Sequence, residues 1–400
     1  MSTSPEPDST DSDRDTSARP LHGMRVVEFG HVAAGPFAGM LLADLGADVV
    51  KVEPPNGDQM RAWPPIGSDE DGERFSYNFT SLNRNKRSVV ADLKDPDQNA
   101  MVRRLLMSAD AVVQNYRPGV LDRLGLGYES ISAEHRGIVF CSISGYGLTS
   151  PYRDRGAYDV VIQGMSGLMS VTGSDGGPPV KAGVPVADFI TGLYAAMTVS
   201  ALLADPLSGR RSRHVDVPML DCLLATSALQ VSEFWGTGRT PAALGSAHPR
   251  NAPYQAFQAQ DRYFTLAAGN DRLWHAVCAA IERSDLLDDP RFVTQAGRVE
   301  HQLDLAHLLE KTFETRPADH WVRVLSDHGV PCGPINTFEE VLADPHVVET
   351  GLLTTITAPV IGEVPDLAFP ARISGDEPRA SRRPPVLGEH TEEVVAEWVR

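Results

Sequence analysis

The chain has 400 residues, 42% of them hydrophobic and 22% charged, and a formal net charge of −17. That length suits two domains better than one core, and that composition is ordinary for a globular protein. The acidic balance argues against general nucleic-acid binding, which needs a basic face, and obliges any anionic ligand to meet a local basic cluster.

Residues 1–20 are rich in Ser, Asp, Pro and Thr without an apolar stretch. Such a segment is no signal peptide and cannot bury enough surface to offset its ordering entropy, so 1–22 reads as a disordered tail. The sequence offers no run of 18 or more apolar residues, and no membrane span is expected. Four dispersed cysteines (Cys141, Cys222, Cys278, Cys332) make no CxxC pair and read as buried thiols of a reducing cytoplasm. Twelve histidines are scattered without HExxH or comparable spacing, so no metal is expected.

The stretch MRVVEF (24–29) is a strand rich in β-branched residues. A Gly-containing turn (30–36), an apolar helix (37–45) and a second strand, DVVKVE (48–53), follow. This strand–helix–strand unit is the building block of a parallel sheet. The pattern recurs with a strand at 88–93, a helix at 96–108 capped by Asp95, and strands at 110–114 and 137–142. Alternation of this kind predicts an open α/β sheet with helices on both faces. Helices are then predicted over 158–169 and 188–204, a strand over 213–217 and a helix over 219–234. After Gly236 the texture turns to Gly, Ala, Pro and His, as in a linker. Short strands (254–257, 263–267) and helices ending near His328 follow. The predicted organisation is a large domain at 23–225, a smaller α+β domain at 226–335, and a Pro-rich segment, 336–400, returning to the large domain.

Generic motifs exclude more than they suggest. Gly145-Tyr146-Gly147 and Gly125-Leu126-Gly127 each supply G-x-G, and neither completes G-x-G-x-x-G. A Walker A lysine and a G-x-S-x-G elbow are both lacking. Two basic clusters fall beside strands: Arg84, Lys86 and Arg87, and Arg117 with Arg123. Loops at strand ends are where open α/β sheets bind ligands, and such cations can hold phosphates. Asp188 and Asp159 each open an apolar helical run. Either can be an N-cap, and a carboxylate at a helix N-terminus is favoured in its ionised, nucleophilic form.

Ten ordered stretches, GHVAAGPFAGMLLADLGADVVKVEPP, SLNRNKRSVVADLK, NYRPGVLDRLGLGYESI, SISGYGLTSPYRDRGAYD, SGLMSVTG, GVPVADFITGLYAA, HPRNAPYQAF, AAGNDRLW, GVPCGPIN and PPVLGEHT, together resemble the family III CoA-transferases, the CaiB/BaiF group. The resemblance runs from about Gly23 to the C-terminus. It implies a Rossmann-like large domain, a smaller α+β domain and an interlocked homodimer. It implies that Asp188, in VADFITG, is the nucleophile. His31, Val32 and Ala33 then flank the reacting thioester, and LNRNK contacts the adenine end of CoA through Leu82, Asn83, Asn85 and Lys86. Arg123 lies near the CoA phosphates, and Arg117 is a further contact for CoA or substrate. Asp159 supports Asp188. Gly269, in AAGNDRLW, belongs to a loop over the site, and its N–H, with those of Ala33 and Ala34, is a candidate oxyanion donor. CoA and acyl-CoA enter as substrates with small carboxylic acids, and no cofactor is permanently bound.

Two departures sharpen the expectation. One formyl-specific relative has Gln where this chain has Ala33, and AAGNDRLW lacks that relative's glycine run, so formyl or oxalate substrates are disfavoured. The α-methylacyl-CoA racemases of the same superfamily carry His immediately before the Asp of the motif reading GAYDVV here, where this chain has Tyr158. Racemisation needs two bases, so transfer is preferred over isomerisation, and over a non-catalytic CoA-binding role. The texture of SGLMSVTG and VADFITGLYA is like that of succinyl-CoA:glutarate-type transferases.

Overall fold

The computed structural model describes residues 19–205, 211–374 and 380–399, so the predicted tail lies almost wholly outside the described residues. The chain divides into two compact units. The first holds the described residues up to Leu168, Ala182–Val231 and those from Pro345 onward; the second holds Met169–Lys181 and Ser232–Asp344.

The first unit is built on six parallel strands: β1 (Arg25–Phe29), β2 (Asp48–Glu53), β3 (Lys86–Val90), β4 (Ala111–Gln114), β5 (Val139–Ser144) and β6 (Arg213–Pro218). Their spatial order is β3-β2-β1-β4-β5-β6, the doubly wound order, whose direction of winding reverses between β1 and β4. Val26, Val27, Val49, Val50, Val112 and Val113 are fully buried, as expected of strands covered on both faces. Helix α1 (Ala34–Asp44) buries every residue but Phe37. It begins three residues earlier than the sequence suggests, because Pro36 sits in the first turn, where a missing N–H costs nothing. Helix α2 (Pro96–Met107) starts as predicted, with the Asp95 side chain accepting from the N–H groups of Asp97 and Gln98.

Helix α3 (Asp159–Met165) precedes α4 (Val186–Leu203). Among the described residues, α4 alone is long and apolar enough to cross a membrane by length and composition. Its buried residues Ala187, Thr191, Gly192, Ala195, Ala196, Val199 and Leu203 recur at helical spacing and join the core shared with α1. A Cβ at Gly192 would come within 3.0 Å of the Ala34 carbonyl oxygen, so the two helices meet backbone to backbone. The single helix predicted over 219–234 is two, α5 (Met219–Thr226) and α6 (Ala228–Thr237). At the break the hydroxyls of Thr226 and Ser227 both donate to the Leu223 carbonyl, turning back on the preceding turn.

In the second unit, β7 (Tyr254–Gln258), β8 (Tyr263–Ala267) and β9 (Cys332–Pro334) form an antiparallel sheet in the order β9-β8-β7. It packs on helices including Asp271–Ala280, Gln302–Phe313 and Ala318–Asp327 through Phe257, Phe264, Trp274, Phe313 and Trp321. Met169–Lys181 also belongs to this unit, which ends at Asp344. The chain from Pro345 returns to the first unit as a hairpin, Leu353–Ala358 with Gly362–Leu367, and a final helix, Thr391–Trp398. Val394 and Trp398 of that helix are buried among residues of α2 and the sheet.

Candidate active site

Parallel sheets bind ligands outside the carboxyl ends of their strands, at the point where winding reverses. A cleft of about 480 Å³ opens there. Its walls come from the segments following β1 (His31, Val32, Ala33, Ala34), β2 (Pro54, Asn56, Gly57, Gln59), β4 (Asn115 to Pro118) and β5 (Ser144, Gly145). Arg153, Arg155, Gly156, Ala157 and Tyr158 add a strap, and Asp188 and Met219 complete the lining. The strap lies close because residue 145 is glycine: a Cβ there would stand 2.2 Å from that of Ala157.

Asp188 is not a cap. It is the third residue of α4, whose N-cap is Pro185. The cap comes from another element: Asp159, at the start of α3, accepts the Ala187 N–H at 2.9 Å. The other Asp159 oxygen accepts from Gln163 Nε2 at 2.6 Å, and Gln163 Oε1 accepts the Ala182 N–H at 2.9 Å. Asp159 therefore fixes the turn that presents Asp188. Burial, with the Asp159 charge adding to it, pushes the Asp188 carboxyl up to about 6. The favourable helix terminus is outweighed, and at pH 7 about nine-tenths of the group is ionised. Any reaction that uses the Asp188 carboxylate in its ionised form is expected to quicken as pH climbs through about 6, where the group loses its proton. An Asp159→Asn variant, relieved of the like charge, should shift that limb toward lower pH; pH–rate profiles of kcat/KM check both.

The loop after β1 is held at each peptide. Lys51 Nζ donates to the Gly30 carbonyl at 2.6 Å. The Asn115 amide grips His31 twice, its oxygen accepting the His31 N–H at 2.8 Å and its nitrogen donating to the His31 carbonyl at 2.9 Å. Asp58 Oδ1 accepts the Val32 N–H at 3.3 Å. Burial and the Lys51 charge hold the His31 imidazole below its ordinary range, and it packs 4.9 Å from the Tyr116 ring. Ala33 is the N-cap of α1 and no side chain caps that helix, so first-turn N–H groups of α1 meet the cleft where Ala33 and Ala34 line it.

Beneath this loop lies a buried ionic network. Lys51 pairs with Glu28 at 2.9 Å and Asp58 at 3.0 Å; Lys86 pairs with Glu28 at 2.8 Å. All four side chains are fully buried or nearly so. Glu28 fits because residue 39 is glycine, where a Cβ would stand 2.0 Å from its Oε2.

The structure thus brings together His31, Val32, Ala33, Arg117 and Asp188, with Asp159 directly behind. It does not bring LNRNK to the cleft lining. Leu82, Asn83, Asn85 and Lys86 are buried; Lys86 reaches Glu28, Asn83 Oδ1 and the Pro36 carbonyl, and Asn85 bonds Asp44 and the backbone of Ser381 and Arg382. The basic cluster around it is neutralised internally, Arg84 by Asp44 and Asp366, Arg87 by Asp48, Glu393 and Glu397. Arg123 lies beside Gly119, outside the lining. Gly269 belongs to the second unit. Sequence reading missed Arg153 and Arg155, which give the cleft its local positive charge with Arg117, and Asn115 and Asp58, which shape the loop. Their signal was position, since Asn115 directly follows a strand. A second cavity of about 170 Å³ shares Pro54 and Tyr116 with the cleft and is otherwise lined by residues including Ala91, Leu93, Lys94 and Leu124.

A doubly wound sheet whose switch-point cleft is lined by one carboxylate and three arginines is the framework of an enzyme that handles an anionic ligand. The sequence profile of CoA-transferase family III matches residues 21–391, and the chain belongs to that family and is a CoA-transferase. It is 41% identical to the succinate–glutarate CoA-transferase of Agrobacterium fabrum, over 94% of this chain and 95% of that protein. It is 36% identical to the human succinyl-CoA:glutarate CoA-transferase, over 96% and 86%. A crystal structure of a CaiB/BaiF family protein from Brucella suis superposes with a TM-score of 0.84 at 39% identity, covering 95% of this chain and 99% of that one.

Proposed function

We propose that this enzyme moves CoA from succinyl-CoA to a dicarboxylic acid through covalent intermediates on Asp188. The observation carrying the reading is one half-buried carboxylate, Asp188, in a cleft that three arginines also line. Asp188 attacks the thioester carbonyl, the C–S bond breaks, and an aspartyl-acyl anhydride and CoA thiolate form. The thiolate then attacks the aspartyl carbonyl and expels the donor acid, leaving an aspartyl-CoA thioester. The acceptor carboxylate reverses both steps. Each addition builds an oxyanion, for which N–H groups of Ala33 and Ala34 are the proposed donors. Water must stay out, since both intermediates hydrolyse.

Acyl-CoA and carboxylic acids are the substrates in this reading, with no permanently bound cofactor. The elongated CoA extends from the main cleft, where Arg117 meets it, past Pro54 and Tyr116 into the adjoining slot. That slot, apolar and rimmed by Lys94, suits a purine better than the internally bonded LNRNK segment does. Arg123 remains a candidate phosphate contact. The cytoplasm is the proposed location and a homodimer the proposed assembly; the exposed Leu193, Met197 and Leu224 of α4 and α5 offer apolar surface for it. The relatives' names favour transfer over racemisation, as does Tyr158, 72% exposed, preceding Asp159 in place of a histidine.

The test is to incubate the protein with succinyl-CoA, trap with hydroxylamine or borohydride, and map peptides by mass. The expected adduct is on Asp188. A label elsewhere, or rapid α-proton exchange of a 2-methylacyl-CoA without acyl exchange, would sink the proposal.

A further inference from the structure

Of the segments lining the cleft, the loop after β1 has the least favourable backbone. Val32 has φ +63°, in the left-handed region that β-branched residues rarely enter. Such a conformation persists only where its surroundings over-determine it, and the inference runs from the outlier to its use. Here the surroundings are Lys51 on Gly30, Asn115 on His31 and Asp58 on Val32. Lys51 and the Asn115 oxygen hold the Gly30–His31 peptide, and the Asn115 nitrogen and Asp58 hold the two ends of the His31–Val32 peptide, with Asp58 on the N–H of the unusual residue. Asp58 is 1% exposed. One oxygen accepts from Val32 and Met60, and the other pairs with Lys51. Its own N–H is fixed by Glu53, which Arg61 and Ser88 secure in turn. A chain of buried charged groups therefore ends on the N–H of Val32, one peptide ahead of the link to Ala33.

We infer that Asp58 is a positioning residue for CoA transfer: by holding Val32 in the left-handed conformation, it aims the N–H groups of Ala33 and Ala34 at the reacting carbonyl. This rests on the covalent reading of the cleft, in which those groups meet the oxyanion. Asp58 touches no reacting atom. Its removal lets Val32 relax to a negative φ and swings the helix entrance, and a misplacement of an ångström at such a site costs about 100-fold in rate.

The experiment compares Asp58→Ala and Asp58→Asn with and without Val32→Gly. Asparagine has one amide oxygen, which can face Lys51 or the Val32 N–H but not both, so it carries the test if the alanine variant does not fold. Expected is a kcat lower by about 100-fold with KM for succinyl-CoA changed less than about threefold. Glycine adopts positive φ without penalty, so adding Val32→Gly to either variant should restore about fivefold or more of the lost rate, while Val32→Gly alone gives no gain. Wild-type kcat in a folded Asp58 variant, or no recovery with glycine, would overturn the inference and leave Asp58 a core residue. The covalent reading fails separately, if wild-type protein incubated with succinyl-CoA yields no trapped adduct on Asp188. Amide hydrogen exchange of the 30–34 segment then still reports the positioning: faster in Asp58→Ala than in wild type supports it, and unchanged exchange removes it.

Discussion

Asp188→Ala is expected to fold normally and to lose CoA transfer by about 10⁴-fold or more, the scale seen when a covalent nucleophile is deleted. The neighbouring Asp159 cannot substitute, because both its oxygens are engaged, with Ala187 N–H and Gln163. Stability should move the other way. A carboxyl whose folded-state pKa is raised from 3.8 to about 6 favours folding when protonated; that contribution is present below about pH 4 and lost as pH rises through about 6. At neutral pH the ionised Asp188, largely buried and beside Asp159, therefore weakens the fold. Its deletion is expected to add on the order of 1–3 kcal/mol, read as an upward shift in Tm. Transfer activity within tenfold of wild type, or a destabilised protein, would contradict the assignment.

Glu28→Ala is expected to be the most destabilising single change in the first unit, costing about 3–5 kcal/mol and lowering Tm by about 10 °C or more. Glu28 is fully buried, as are its two partners Lys51 and Lys86. Truncation leaves two ammonium groups competing for the remaining Asp58 charge and opens a void beside Gly30 and Gly39, both of which face the lost carboxylate. Denaturant unfolding followed by circular dichroism measures the loss; a change under about 1 kcal/mol would mean that water or a rearranged lysine replaces Glu28 easily.

How much of this was legible beforehand depended on distance along the chain. Alternating apolar runs located β1, β2, α1 and α2 because periodicity and caps such as Asp95 are local signals. Asp188 was legible through its family motif, yet its raised pKa was not, since it depends on burial and on a carboxylate 29 positions away. LNRNK was assigned to CoA through its resemblance to the family's adenine-contacting stretch, and its burial was not legible from the segment itself. The counter-charges that bury it, Asp44, Asp366, Asp48, Glu393 and Glu397, are spread over the whole sequence. The strands themselves held a clue: Glu28 and Lys51 interrupt otherwise apolar runs, and charges that must be buried must also be paired. The second unit's claim on Met169–Lys181 had no compositional mark, whereas its sheet and helices did.

The glycine at the end of β5 has a quieter consequence. One missing methyl group lets the chain carrying Arg155 and Tyr158 pass directly over the sheet, so the breadth of the substrate channel is dictated at a residue with no side chain. Even an alanine at Gly145 would wedge that crossing apart, moving a cation and an aromatic ring away from the rest of the lining without altering either. The bore of the cleft is thereby tied to backbone clearance as well as to the side chains that line it.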